Sequence, residues 1–337
     1  MKIGWALAAL VAIAVGIPSP SEPAASLQIH YPPERLVISG GGLLHVIVEP
    51  AGGLKADELE LRLNGESAGS GVARPRQDGG TVFHAGVQLA FGLNTIEVSL
   101  RSGGQVVAEV ERTVFFLSAL GKQTHSPPDF SRHPFHLAAK ETACVGCHQV
   151  EPRPEDAGPA TPEQSTCHSC HAGLTKTKEV HGPTAFWACT RCHDPTSARA
   201  RYATPEPVMT LCFSCHTELK ERFYGRPYQH GPTATGQCTI CHNPHGSQHR
   251  FFLKKAAWNL CTTCHFEKVG PRHVIAWGPH GQGHPTRGKP DPTRPKHELS
   301  CASCHNPHAA SAPRLWKFEA TRWLDLCRNC HKRILGG

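Results

Sequence analysis

The pattern Cys-x-x-Cys-His occurs eight times after residue 143, and its eight copies use all 16 cysteines of the 337-residue chain. Measured between first cysteines, the copies form doublets with internal steps of 23, 23, 23 and 26 residues, separated by steps of 22, 26 and 40 residues. A repeat of this kind indicates one small unit used many times. The cysteines are Cys144 and Cys147, Cys167 and Cys170, Cys189 and Cys192, Cys212 and Cys215, Cys238 and Cys241, Cys261 and Cys264, Cys301 and Cys304, and Cys327 and Cys330.

The histidine that follows each cysteine pair identifies the chemistry. Two thiols at this spacing can add to two vinyl groups on one porphyrin edge, and the next residue then places an imidazole on the iron. The pattern therefore predicts eight covalently bound haem c groups. The proximal iron ligands are His148, His171, His193, His216, His242, His265, His305 and His331. A zinc ribbon or a disulfide framework also uses closely spaced cysteines, but neither requires the histidine.

The segment Met1–Ser26 is predicted to be a secretory signal peptide. Lys2 precedes an apolar run from Ile3 to Ile17, and prolines follow before Ala24-Ala25-Ser26. This run has 15 residues, whereas a membrane-spanning helix needs about 20. We therefore expect an exported protein of the periplasm or cell surface, attached to a membrane only peripherally, and export agrees with covalent haem attachment.

Residues 27–118 contain no cysteine and alternate apolar and polar side chains between glycine turns. This pattern predicts six or seven short strands in an all-β sandwich. The strands are expected at Arg35–Ser39, Leu44–Glu49, Glu58–Leu63, Thr81–Leu89, Thr95–Leu100 and Gln105–Leu117. Phe91–Phe116 resembles the closing strands of bacterial immunoglobulin-like domains. The sandwich histidines His30, His45 and His84 are interpreted as structural or surface residues, and the domain as a spacer, docking or assembly module.

Residues 119–135 are predicted to be a linker and residues 136–337 the haem domain. Eight haems over this length leave about 25 residues for each, too few for a conventional core, so the stacked haems must form the core. Proline and glycine indicate mostly loop, with short helices at Phe251–Leu260 and Leu315–Leu326 that lead into second motifs.

Each iron needs a second axial ligand, and histidine is the main candidate. The methionines are Met1 and Met209, and Met209 is interpreted as a packing residue, so low-potential haems are expected. His136, His181 and His230 each lie eight residues before the first cysteine of a doublet, and His245 and His308 lie three residues after a proximal histidine. Thr196 occupies the corresponding place in the second doublet, whose missing ligand must come from elsewhere. The other three distal ligands are expected among His125, His133, His168, His249, His273, His280 and His284, with His297 a further candidate in the fourth doublet.

The doublets 136–171, 181–216, 230–265 and 284–331 resemble the doubled CxxCH family of multihaem cytochromes c. The resemblance is carried by HGP before the first motif and by CHxPHGS after it, most clearly over His230–His265 and His284–His331. It implies that the histidine ahead of the first motif and the one in CHxPH are distal ligands, and it favours His284 over His297. We therefore adopt His136, His181, His230, His245, His284, His308, His133 and His273 as candidate distal ligands. The family also implies periplasmic or cell-surface electron transfer.

The leading functional prediction is a low-potential electron-transfer wire without catalytic residues, in a respiratory or extracellular chain. Its partners would be other redox proteins: cytochromes, a quinol-oxidising complex or an outer-membrane conduit. The net charge of +8 balances part of the roughly 16 propionate charges of eight haems, and scattered basic residues argue against nucleic acid as a partner. The alternative is a reductase of nitrite, hydroxylamine or a sulfur oxyanion at one five-coordinate haem. Assembly into a homo-oligomer or filament is a further alternative.

Overall fold

The computed structural model describes residues 27–39, 42–76, 79–118, 125–133, 135–137, 141, 145, 148–269, 273–274 and 284–332. The predicted signal peptide and the first motif's Cys144 and Cys147 lie outside these residues, as does His280. The first part of the described chain is an eight-stranded β-domain. Its strands are β1 Leu27–Tyr31, β2 Leu36–Ile38, β3 Leu43–Pro50, β4 Glu58–Leu63, β5 Glu66–Pro75, β6 Thr81–Gln88, β7 Gly92–Ser102 and β8 Gln105–Phe116.

The strands follow the order β1-β3-β6-β5-β4-β7-β8-β2, in which β2 and β8 are parallel and the other pairs antiparallel. The long strand β5 joins the two layers of the sandwich, because its first half pairs with β4 and its second half with β6. Alternate side chains fill the space between the layers. Leu59, Phe83, Ile96 and Val114 are completely buried there.

The predicted β-sandwich is confirmed, and two strands were missed. The strand β5 has the sequence ESAGSGVARP, whose small residues lack the apolar alternation of a half-buried strand. At Gly71 the small residue is required, since a Cβ atom there would lie 2.4 Å from the Leu59 side chain. Strand β1 is short and directly follows the predicted signal peptide.

The rest of the chain is mostly loop with short helices, as predicted. The helices are α1 His168–His171, α2 Gly182–Ala185, α3 Val208–Cys215, α4 Thr217–Tyr224, α5 Gly231–Ala234, α6 Cys238–Cys241, α7 Ala257–Cys264, α8 Cys301–Cys304 and α9 Trp323–Arg328. Helices α3, α7 and α9 lead into second motifs. The helices predicted at Phe251–Leu260 and Leu315–Leu326 are shorter than expected, because Phe251, Phe252 and Leu315 have positive φ angles that interrupt an α-helix. No helix among the described residues is long and apolar enough to cross a membrane.

Two-residue strands join successive doublets. Strand β9 (Glu179–Val180) pairs with β11 (Gly246–Ser247), and β10 (Tyr228–Gln229) pairs with β14 (Ala309–Ala310). Each pairing places the segment before one doublet against the loop after the first motif of the next doublet. A further hairpin, β12 (Pro290–Asp291) with β13 (Arg294–Glu298), precedes the fourth doublet.

The β-sandwich packs against the haem region through side chains on its outer face. The ring of His45 meets the ring of His171 edge-on at 5.3 Å, and Lys255 Nζ lies 5.2 Å from the centre of the Phe91 ring. Tyr31 contacts Phe135 edge-on at 4.8 Å. The first and third doublets therefore both touch the sandwich.

Candidate multihaem site

The haem region brings histidines together in pairs with a constant separation. Two imidazoles that bind one metal ion from opposite sides, each through a bond of about 2.0 Å, have ring centres roughly 6 Å apart. Seven described proximal histidines have a histidine at 5.9–6.2 Å, and all seven partners were candidate distal ligands. The pairs are His171 with His136, His193 with His245, His216 with His181, His242 with His308, His265 with His230, His305 with His273, and His331 with His284. The residues therefore fit a metal-centred macrocycle between each pair.

The proximal histidines that open the second, third and fourth doublets are oriented alike. The Nδ1 atoms of His193, His242 and His305 lie 2.7–2.8 Å from the carbonyl oxygen of the residue nine positions later. Donation from Nδ1 leaves the Nε2 lone pair free for a metal and holds the ring in place. The carbonyl groups belong to Tyr202, Phe251 and Arg314. Sequence analysis missed this contribution, although the repeated nine-residue interval could have revealed it.

The distal candidates follow a rule that crosses doublet boundaries. His245 pairs with His193 of the preceding doublet, and His308 likewise pairs with His242. His181, in contrast, pairs with the second motif of its own doublet, and its ring donates to the carbonyl of Pro244 in the next doublet. His230 makes the equivalent hydrogen bond to Pro307. Each CHxPH loop thus serves the doublet before it and orients a histidine of that doublet.

Under this rule, the threonine at position 196 deprives the first doublet, not the second, of a distal histidine. In CHDPT, Thr196 N donates to Asp194 Oδ1 at 2.8 Å, and in CHNPH the amide of His245 donates to Asn243 Oδ1 at 3.1 Å. The turn is therefore the same, but the imidazole is absent. Because a CHxPH histidine faces the preceding doublet, Thr196 leaves the first motif, with His148, short of a ligand. The second doublet receives its missing ligand from elsewhere, since His193 faces His245 of the third doublet and His216 faces His181.

Six of the paired imidazoles have lowered pKa values, which favours the neutral form that binds metal. Burial, followed by the neighbouring imidazoles, lowers the pKa of His171 to about 3 and of His245 and His308 to about 4. Burial also lowers the pKa values of His181, His230 and His273. At neutral pH these rings present a lone pair without first losing a proton.

Successive motifs touch one another in chain order. Cys167, Cys212 and Cys261 each donate a hydrogen bond to the first thiol of the next doublet, and this bond raises their pKa values; the acceptors are Cys189, Cys238 and Cys301. Burial raises the pKa values of Cys192, Cys241 and Cys304, and the next cause is a nearby thiol of the following motif, Cys215, Cys264 and Cys330. The described motifs therefore form one unbroken file from Cys167 to Cys330.

A single cavity of about 2540 Å³ connects most of this file. Its lining includes Cys167, Cys212 and Cys261, and it extends to His45 and His84 of the sandwich. A site for one small ligand has roughly 300–1,000 Å³, so this cavity has room for several large groups. None of the 14 described cysteines forms a disulfide.

The other candidates lie apart from the pairs. His133 is exposed and its Nε2 lies 2.7 Å from Ser131 Oγ, without a proximal partner among the described histidines. His168 packs edge-on against Trp187 at 4.7 Å, and the His297 ring lies beside Arg250. Met209 packs against Gly236, whose φ is +68° and where a Cβ atom would lie 2.3 Å from the Met209 sulfur. Within the described ranges, no three His, Cys, Asp or Glu side chains form a compact metal-binding group.

Comparisons with known proteins address the two parts of the chain separately. The family model of the doubled CXXCH motif matches residues 181–221, 230–270 and 294–335, which together are well under half of the chain. These matches support a multihaem c-type cytochrome with covalently bound haem c at the paired motifs. No curated protein matches the chain significantly.

Solved structures resemble about a quarter of the chain. Fibronectin(III)-like modules of Clostridium thermocellum CbhA are 14% identical, with 27% of this chain and 93% of theirs covered and a TM-score of 0.21. A CARDB domain from Pyrococcus furiosus is 13% identical over 28% of this chain and 92% of its own, with a TM-score of 0.18. Titin domain M7 is 9% identical over 28% and 96%, with a TM-score of 0.19.

Proposed function

We propose that this chain is an octahaem c-type cytochrome that acts as a low-potential electron-transfer wire between redox partners. The observation that carries the proposal is the file of seven histidine pairs, each with ring centres 5.9–6.2 Å apart. The eighth position is the first motif, of which the structure describes His148. When bound, each haem supplies a one-electron Fe(III)/Fe(II) couple.

The protein's own residues set the properties of such a wire. Paired imidazoles would leave no open coordination position for a substrate, which favours electron transfer over catalysis. Histidine rather than methionine as the second ligand keeps the potentials low. The contacts between thiols of successive motifs support close spacing along the whole file, because each thiol is an attachment point at a porphyrin edge.

The charge of the polypeptide supports the count of eight. A chain of net charge +8 with eight haems would carry about 16 propionate charges, and each ferric centre with two histidines would add about +1. The holoprotein would then be near neutral when oxidised and about −8 when fully reduced. A few haems would leave the chain strongly basic.

The setting in the cell is part of the proposal. The features of Met1–Ser26 favour export to the periplasm or cell surface, where covalent haem attachment takes place. The partners would be other cytochromes, a quinol-oxidising complex or an outer-membrane conduit, and assembly into an oligomer or filament would extend the file. The sandwich would serve as a docking or assembly module, since its outer face already contacts two doublets.

A reductase is the second candidate, and one observation favours it. His148 has no histidine of the haem region at the 6 Å separation among the described residues, so the first motif is the place for an open iron. Such an iron would bind nitrite or a related oxyanion directly.

The test is low-temperature EPR of the oxidised protein together with its optical spectrum before and after addition of nitrite or carbon monoxide. Intact-mass measurement first establishes the number of haems, with eight expected. The wire predicts low-spin ferric signals only and no spectral change with either ligand. A high-spin signal from about one iron in eight that shifts with nitrite would replace the wire with the reductase. A mass corresponding to fewer haems would contradict the octahaem count.

A further inference from the structure

We propose that His84 of the β-sandwich is the sixth ligand of the iron held at the first motif, opposite His148. This inference rests on the proposed octahaem cytochrome and assigns a ligand to a domain that contains no haem-attachment motif. It makes the sandwich part of the redox site, in addition to any docking role.

The first step is the shortage at one place in the file. Seven proximal histidines have partners from the haem region. By the rule that each CHxPH loop serves the preceding doublet, the partner of His148 should come from the position of Thr196. Threonine has no imidazole, so the first motif needs a ligand from outside the repeat.

The second step is the place where the sandwich meets the haem region. His45 and His84 lie on neighbouring strands β3 and β6, where the register pairs Ile47 with His84 and His45 with Gly86. Their neighbours Leu44, Val46, Phe83 and Ala85 point into the sandwich core, so the two histidines point out of it. They are nevertheless only partly exposed, because they lie in the cavity that also contains His148.

The third step is the arrangement of the two rings. The His45 and His84 rings stack with centres 5.1 Å apart, and His45 Nδ1 lies 2.9 Å from His84 Nε2. One nitrogen donates and the other accepts. When His45 Nδ1 donates, His84 Nε2 carries no proton and accepts the hydrogen bond. This Nε2 atom would bind the iron, and the bond to iron would then replace the hydrogen bond to His45.

The neighbours of each ring separate the two candidates. His45 lies edge-on to His171 at 5.3 Å, too close to share a metal with that ring, which already faces His136 at 6.2 Å. His84 instead has His148 among its charged neighbours: burial, then Arg74, then His148 lower its pKa. Because His45 already contacts His171, we assign to the first motif the other sandwich histidine, His84, which lines the same cavity as His148.

The experiment compares His84→Ala, His45→Ala and His30→Ala in the full-length holoprotein, after intact mass has established eight haems in each. His30 is the matched control, because it lines the same cavity and its Nε2 lies 2.9 Å from Glu49. We expect His84→Ala to convert one iron in eight to a high-spin form that binds carbon monoxide when reduced. Added imidazole should return it to low spin. The other two variants should stay low-spin.

A second variant, which replaces His84 with another side chain able to bind iron, distinguishes loss of the ligand from loss of folding. His84→Met should remain low-spin while one of the eight midpoint potentials rises, since methionine opposite histidine raises the potential. Low-spin spectra in both His84 variants with unchanged potentials would overturn the assignment and leave the wire standing. High-spin iron in His45→Ala alone would also overturn it. A high-spin iron already present in the unmodified protein would overturn both the assignment and the wire.

Discussion

The hydrogen bond between His136 and Glu141 offers a direct test of how the chain tunes one haem. His136 Nδ1 lies 2.8 Å from Glu141 Oε1, and the Glu141 side chain is 5% exposed. A carboxylate that accepts from an iron-bound imidazole stabilises the ferric state and lowers the potential. Replacement by glutamine keeps the shape and removes the charge. We expect Glu141→Gln to raise the potential of the haem held between His136 and His171.

The size of the shift follows from the geometry. The carboxylate lies roughly 7 Å from the midpoint of the two rings, so at an effective dielectric constant of about 20 its charge contributes about 2.4 kcal/mol, or about 100 mV for one electron. Arg201 pairs with the same carboxylate and offsets part of this effect. We therefore expect an increase of about 50–100 mV in one of the eight potentials.

The assay is a spectroelectrochemical titration with Glu151→Gln as the matched control. Glu151 Oε2 lies 2.6 Å from Nη2 of the same Arg201 guanidinium, but the Glu151 side chain is 67% exposed, so solvent screens its charge. Its removal should shift the same potential by less than about 20 mV. An unchanged or lower potential in Glu141→Gln, or an equal shift in the control, would refute the reasoning.

Three further predictions concern other parts of the chain. His245→Ala should make one iron in eight high-spin. Additional replacement of Cys189 and Cys192 by alanine should remove the high-spin signal, because it removes the haem opposite His245. A signal that persists would show that His245 serves its own motif instead of His193. Phe83→Ala, at a fully buried core position, should lower the unfolding free energy of the sandwich by about 3–5 kcal/mol in urea titrations followed by far-UV circular dichroism, with the half-exposed Phe91→Ala as control. Burial alone would raise the pKa of Asp291, but hydrogen bonds from Thr293, Arg294 and Ser303 hold it well below its usual range. This carboxylate should therefore stabilise the fold fully above about pH 4 and lose that contribution as the pH falls further. Asp291→Asn should lower the free energy of unfolding by roughly 2–4 kcal/mol at pH 7 and weaken its dependence on pH below about pH 4. An unchanged pH dependence in this acid range would contradict the prediction.

Much of the local structure could be predicted because it depends on short-range pattern. Strand β4 lies where its alternation placed it, at Glu58–Leu63, because alternation and turn residues act within a few positions. Strand β5 was missed because it lacks apolar alternation, and at Gly71 the small residue is required by a contact with Leu59 on the neighbouring strand that is not visible along the chain. The helix predicted at Phe251–Leu260 begins late for a similar reason: the Phe251 carbonyl turns back toward His242.

The sequence by itself determined the haem-attachment chemistry, since covalent linkage needs two thiols and an adjacent imidazole and leaves little freedom in spacing. It also identified candidate distal ligands, because a repeated interval marks a repeated role. Only the tertiary structure decided which histidine faces which motif. That choice depends on the short strands that place one doublet against the next and on the outward-facing residues of β3 and β6. His245 shows the difference, because it lies opposite His193 of the preceding doublet, although it is much closer in sequence to His242.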